Sequence, residues 1–222
     1  MAEKIWQGIY LVGSPELTAS EDACVYLIEF PSELVLIDSG AGDSVERIIA
    51  QIESLGLSPQ KVKKLILTHC HIDHSGGANA FKHKLGVEII AHKRCAEILE
   101  KADPILTAGI WYGIKPEPVY VDRVFNDEQM EIKVDGEILH LLYIPGHSPG
   151  SIAVYLDRAG KRVLFGQDVH GPLHPALGSN KEQYQKSLRK LISLEADILC
   201  EGHFGIYRGK EEVKNYIQRF ID

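Results

Sequence analysis

Paired cysteines are what this chain most plainly lacks. Its four, Cys24, Cys70, Cys95 and Cys200, are widely spaced and include no C-x-x-C. Neither a disulfide framework nor a C-x-x-C motif therefore organises the protein, and buried free thiols in a reducing cytoplasm are expected. Long apolar runs are missing too: nothing approaches the roughly 18 residues that a membrane span needs. The first eight residues, Met1 to Gly8, show no basic segment leading into an apolar one, so no export signal and a cytoplasmic location are expected. Positive charge is in deficit, with Lys+Arg 24 against Asp+Glu 31 and a net charge of −7. That balance favours solubility and gives no electrostatic footprint for nucleic acid or an anionic membrane, which leaves a small molecule as the expected partner.

No linker, low-complexity tract or fixed-period repeat interrupts the 222 residues, and that length can bury one full core, so residues 1–222 are read as a single domain. Ile5–Gly13, Ala23–Phe30 and Glu33–Ser39 read as strands divided by polar or proline breaks. Asp43 or Ser44 is placed to cap a helix carrying Val45, Ile48, Ile49 and Ile52. Strands follow at Lys63–Thr68 and Val87–Ala91, with helices over Gly76–Leu85 and Cys95–Lys101. The stretch Ala102–Tyr120 is broken by Pro104, Gly109, Gly113, Pro116 and Pro118, yet carries the apolar Ile110, Trp111, Tyr112 and Ile114. It reads either as a flap over a substrate or as a surface packed on the core or in a homodimer. Strands resume at Val121–Phe125, Met130–Val134, Glu137–Ile144, Ser151–Leu156 and Arg162–Phe165, with Asp135-Gly136 as a hairpin turn. A helix over Glu182–Leu194, a strand at Ala196–Cys200 and a helix over Lys210–Ile221 close the chain. This order predicts two packed sheets with helices outside.

The chemistry is concentrated in Thr68-His69-Cys70-His71-Ile72-Asp73-His74-Ser75-Gly76-Gly77. Six residues, His69 to His74, hold three imidazoles and one carboxylate directly after the apolar Leu65-Ile66-Leu67. Histidines at a strand end are also found as ordinary surface residues, but four donors in six positions form a pattern suited to zinc, iron or manganese. In an extended segment His69 and His71 project to one side. Asp73 and His74 follow where the chain turns, so the segment can offer one pair of ligands to each of two metals. Cys70 should point away from its histidine neighbours. Three more donors each follow a strand: His147 in Pro145-Gly146-His147, Asp168 after Phe165-Gly166-Gln167, and His203 in Glu201-Gly202-His203. Rigid strand ends can present such ligands to a common point.

These motifs, in this order, resemble the metallo-β-lactamase superfamily, whose pattern is H-x-H-x-D-H, then G-H, then a strand-end Asp, then a late G-H. The early Leu36-Ile37-Asp38-Ser39-Gly40 also resembles its strand-end aspartate. The resemblance spans about Tyr10 to His203 and implies an α/β fold, a four-layered αβ/βα sandwich with metals at one edge of the sheets. It implies that His69, His71 and His147 hold a first metal, that Asp73, His74 and His203 hold a second, and that Asp168 bridges them. Asp38 would orient a ligand from behind. Two divalent ions are implied, zinc first, with iron or manganese as alternatives. The implied chemistry is hydrolysis by a hydroxide held between the ions, with Asp73 orienting it and passing on a proton.

Within that superfamily, the absent export signal argues against a secreted β-lactamase. His71 and the chain length argue against flavodiiron proteins, and length and charge against RNA-processing members. Only about nineteen residues follow His203, which argues against the longer helical extension of glyoxalase II. A compact hydrolase of a small ester, thioester, lactone or phosphoester remains. The alternatives are a persulfide (sulfur) dioxygenase with one iron on His69, His147 and Asp168, and a non-catalytic metal-binding module. Absence of Arg from Val169–Asn180 argues against the dioxygenase, and the complete set of seven donors against the module. His170 either protonates a leaving group or is a surface or supporting residue. His83, His92 and His140 have no motif context, and His174 is notable only by proximity.

Overall fold

A computed structural model describes residues 1–222. The first sheet holds β1 (Glu3–Trp6), β2 (Ile9–Gly13), β3 (Val25–Glu29), β4 (Leu34–Ile37), β5 (Val62–Ile66), β6 (Glu88–His92) and β7 (Arg123–Phe125), hydrogen-bonded in that order. The second holds β8 (Gln129–Val134), β9 (Glu137–Tyr143), β10 (Ile152–Arg158), β11 (Lys161–Gln167), β12 (Ile198–Glu201) and β13 (Ile206–Arg208), in spatial order β13-β12-β11-β10-β9-β8. The helices are α1 (Val45–Ser54), α2 (Ile72–Ser75), α3 (Ala78–Leu85), α4 (Lys93–Lys101), α5 (Gly109–Tyr112), α6 (Lys181–Ile192) and α7 (Lys210–Gln218). None is long and apolar enough to cross a membrane.

Side-chain alternation builds the layers. In β4, Val35 and Ile37 pack in the core between the sheets, while Leu34 and Leu36 join the core beneath α1, α3 and α4. In β11, Val163 and Phe165 enter the inter-sheet core and Leu164 the outer core with α6 and α7. Three cores thus separate four layers, an αβ/βα sandwich. Fully buried Ile48 and Ile52 anchor α1, each stabilising by roughly 1.5–3 kcal/mol.

Topology decides where loops meet. β4, β5 and β6 run parallel in one sheet, and β11 and β12 run parallel in the other. Parallel neighbours bring their C-terminal ends to a common edge, so the loops after β4, β5, β11 and β12 converge there.

Several expectations shift. The Ile5–Gly13 strand is a hairpin, β1 and β2, turning through Gly8 at φ +63°. The Asp135-Gly136 turn joins β8 to β9 with both residues at positive φ, as its sequence requires. Ser44 occupies the α1 N-cap position but makes no cap bond, because its hydroxyl donates to Asp22 at 2.8 Å instead. The broken stretch contains the one-turn α5, and the edge strand β13, three residues long, is too short to stand out in sequence.

Candidate metal centre

His69 and His71 lie beyond β5, in the turn entering α2, so their convergence comes from that turn and not from strand alternation. The turn is tied by backbone bonds to three other segments. Ser39 N–H donates to His74 O at 2.8 Å, Ala23 N–H to Asp73 O at 3.1 Å, and Ile72 N–H to Thr107 O at 2.8 Å. Cys70 packs into the core beneath α3 and α4, away from the imidazoles.

The seven donors form two groups. One comprises His69, His71, His147 and Asp168; the other, Asp73, His74 and His203. Within the first, His71 Nδ1 lies 3.1 Å from His147 Nε2, and Asp168 Oδ2 lies 3.2 Å from His147 Nε2 and 3.9 Å from His69 Nε2. Within the second, His203 Nε2 lies 3.2 Å from Asp73 Oδ2 and 3.3 Å from His74 Nε2. Asp168 Oδ1 faces this second group, 3.1 Å from His74 Nε2 and 3.4 Å from His203 Nε2. The two oxygens of Asp168 thus address different groups. Tetrahedral ligands at zinc bond lengths stand about 3.3 Å apart, which matches these spacings.

Atoms behind the donors fix which nitrogen is free. Asp38, at φ +65°, accepts from Thr68 N–H and Thr68 Oγ1–H, and from His74 Nδ1–H, each at 2.7 Å. His147 Nδ1–H donates to Pro172 O at 3.1 Å. Thr68 Oγ1, its proton given to Asp38, accepts from His69 Nδ1–H at 3.1 Å. Each contact leaves Nε2 with its lone pair toward the cluster.

The site fits cations on two counts. Buried His69 Nε2, Asp73 Oδ1 and Asp168 Oδ1 have no hydrogen-bond partner, a cost that native interiors rarely tolerate unless something else satisfies the atoms. Three carboxylates, Asp38, Asp73 and Asp168, are also buried together with no Lys or Arg paired to them. In the absence of ions, protons on His74 and His203 would supply the compensating charge. Burial opposes a charged His74, yet Asp168, Asp73 and Asp38 hold its pKa well above the usual value. Burial likewise opposes a charged His203, but the nearby Asp168 and Asp73 carboxylates push it to about 10. Burial and neighbouring imidazoles hold His69 well below its usual value, and burial with His147 draws His71 to about 3. Asp168 is driven well below the ordinary range, the pull of His74 and His147 outweighing its burial.

A cleft of about 450 Å³ opens onto the cluster, lined in part by His71, Asp73, His147, Asp168 and His203. Trp111 and Tyr112 of α5 line it too, and Tyr112 O–H donates to Asp73 Oδ2 at 2.9 Å, so the broken stretch reaches over the site. His170 lines the same cleft, its Nδ1–H donating to Glu201 Oε1 at 2.8 Å. The other histidines serve elsewhere. His174 caps a short 3-10 turn under the Trp111 edge, His92 caps α4, His140 stacks on Tyr155, and His83 is exposed.

Glu201 escaped sequence reasoning. Fully buried, it accepts His170 N–H and Nδ1–H through Oε1, and the His203 and Phe204 N–H groups through Oε2 at 2.7 and 2.8 Å. An acid ending the apolar Ile198-Leu199-Cys200 was the available signal, the same one that Asp38 gives. Thr68, linking Asp38 to His69, gave none.

A family model for the metallo-beta-lactamase superfamily matches residues 23–203. The chain belongs to that superfamily and is a metal-dependent hydrolase. It is 30% identical to hydroxyacylglutathione hydrolase GloC of Haemophilus influenzae over 207 residues, covering 90% of this chain and 93% of that one. It is 26% identical to the human acyl-coenzyme A thioesterase MBLAC2, covering 98% of this chain and 86% of that one. The metallo-beta-lactamase GOB-18 of Elizabethkingia meningoseptica superposes with TM-score 0.77 at 26% identity, over 91% of this chain and 76% of that one. A metallo-beta-lactamase variant from Cronobacter sakazakii superposes with TM-score 0.82 at 24% identity, covering 99% and 93%, and speaks for the fold alone. The match to a hydroxyacylglutathione hydrolase over 93% of its length corrects one expectation: a short stretch after His203 does not separate this chain from proteins of that name.

Proposed function

We propose that residues 1–222 form one hydrolase domain with a dinuclear centre that cleaves a small ester, thioester, lactone or phosphoester. In this reading His69, His71 and His147 would hold one ion and Asp73, His74 and His203 a second, with Asp168 contributing to both groups. The observation that carries it is the division of Asp168, Oδ2 toward His69 and His147 and Oδ1 toward His74 and His203. The neutral imidazole and carboxylate set suits zinc, with iron and manganese as alternatives. When bound, the ions supply water ionised near neutral pH, its pKa falling from ~15.7 toward ~7, and an electrophilic pull on the scissile oxygen.

The chain's own groups do the rest. Tyr112 O–H occupies Asp73 Oδ2, leaving buried Oδ1 free to orient the nucleophile and take its proton. With Nδ1–H bound to the Glu201 carboxylate, His170 in its imidazolium form would present Nε2–H as the proton for the departing oxygen or sulfur, leaving the neutral ring still held by Glu201. Trp111 and Tyr112 cover the acyl group and exclude water. A second donor group, with Asp73 and His74 buried and His203 partly so, speaks against a centre with one iron.

The test is metal content per chain on protein prepared without added metal and without oxygen. About two divalent ions, with turnover of esters, thioesters or lactones, is the expected result. One iron, with oxygen consumed on adding glutathione persulfide, would overturn it.

A further inference from the structure

Building on that hydrolase reading, we infer that the cleft selects uncharged substrates with an apolar acyl chain, and that Glu16 is the residue that turns anionic ones away. Eight large hydrophobic side chains are left exposed on this protein, and Trp111, Tyr112 and Phe204 among them share the cleft, with Trp111 49% and Phe204 61% exposed. Leu177 adds a buried apolar floor. Apolar surface gathered at one concave site and not dispersed marks a binding surface.

The charged lining points the same way. None of the fourteen residues lining the cleft is Lys or Arg. Asp73 and Asp168 are engaged in the donor groups, which leaves the Glu16 carboxylate as the remaining acid on the wall. It is exposed, and Ser14 O–H, from a buried serine, donates to its Oε2 at 3.2 Å. Away from the metal centre, a carboxylate, phosphate or sulfonate on the substrate would meet this negative charge with no guanidinium or ammonium in the wall to offset it. This wall disfavours phosphoesters and leaving groups that carry their own carboxylates.

Two substrate series test the inference on the metal-loaded enzyme. Across p-nitrophenyl esters from acetate to octanoate, kcat/KM should rise about threefold to fourfold per added methylene until the cleft is filled. A neutral butyryl thioester of N-acetylcysteamine should exceed the anionic S-lactoylglutathione at least tenfold. Glu16→Gln should narrow that ratio by about threefold to tenfold. In the wild type, raising the salt concentration should narrow it as well, because salt screens an exposed charge, and E16Q should lose that salt response. A flat chain-length series, or a ratio that favours the anion or ignores both E16Q and salt, overturns the inference while leaving the hydrolase reading standing. Trp111 fluorescence supplies a readout without turnover, with Trp6→Phe removing the other tryptophan. Quenching by N-methyl amides that strengthens with chain length, in a protein that cleaves no ester or thioester, would sustain the apolar cleft and sink the hydrolase.

Discussion

Gly202→Ala is the sharpest perturbation of the proposed dinuclear centre, because it adds one methyl group and nothing else. Gly202 follows β12 in a backbone conformation open to any L-residue, so alanine imposes no dihedral strain. Its Cβ would lie 2.2 Å from Asp168 Oδ1 and 3.2 Å from His74 Cε1, whereas ordinary contact begins at 3.4 Å. The Asp168 carboxylate must retreat by about 1.2 Å, several times the ~0.2 Å tolerance of a metal–ligand bond. Oδ1 is the oxygen facing the Asp73, His74 and His203 group, so this ion should be lost first. Overpacking of this kind costs about 1–3 kcal/mol, or roughly 2–4 °C of Tm per kcal/mol for a chain of this size. The expected outcome is a folded protein with about one ion per chain and turnover lower by about 100-fold or more. Elemental analysis, thermal melts with and without chelator, and ester hydrolysis measure all three. Two ions retained with wild-type turnover would refute the division of Asp168 between two ions.

Asp38→Asn should weaken binding of one ion by about 10–100-fold with the fold intact, read by competition with a chromophoric chelator. The amide has one accepting oxygen: set at the Oδ2 position it leaves its N–H against the Thr68 N–H, and set at the Oδ1 position it turns its N–H to His74 Nδ1 and would move that ring's proton to Nε2, where the lone pair is needed. His170→Gln should depress kcat most for poor leaving groups, steepening the dependence of rate on leaving-group pKa; equal losses across the series would remove it as proton donor. Chelated protein should lose stability as pH rises from about 6.5 to 10. His203 binds its proton more tightly folded than unfolded, so its contribution is complete below the unfolded value and vanishes through about 10. Metal-loaded protein, in which ions replace that proton, should not show the loss; thermal melts at pH 6.5 and 9.5 compare the two.

How much of this was legible in the sequence depends on what each residue does. The donors were legible because a metal ligand is defined by its own chemistry: three histidines and an acid in six positions, then His147, Asp168 and His203 after apolar strands. The sandwich was legible because apolar strands such as Leu34–Ile37 and Val163–Phe165 alternate between two cores. The supporting groups were harder. Thr68 and Glu201 act only through partners brought close by folding, and nothing local separates Thr68 from any strand-end threonine. The short α5 was hidden by the glycines and prolines around it, although its Tyr112 touches Asp73.

One regularity links the seen and the unseen. Asp38, Asp168 and Glu201 each end or follow an apolar strand at the common edge, are buried, and meet a histidine: His74, His147 and His170 respectively. An acid there would be costly without a positive or hydrogen-donating partner. Its presence after Leu-Val-Leu-Ile or Ile-Leu-Cys is therefore evidence of such a partner before the partner can be identified. On that argument the histidines follow from the acids as much as the acids from the histidines. Glu201, which binds both His170 and the backbone of His203, couples the proposed proton donor to a proposed metal ligand through one carboxylate.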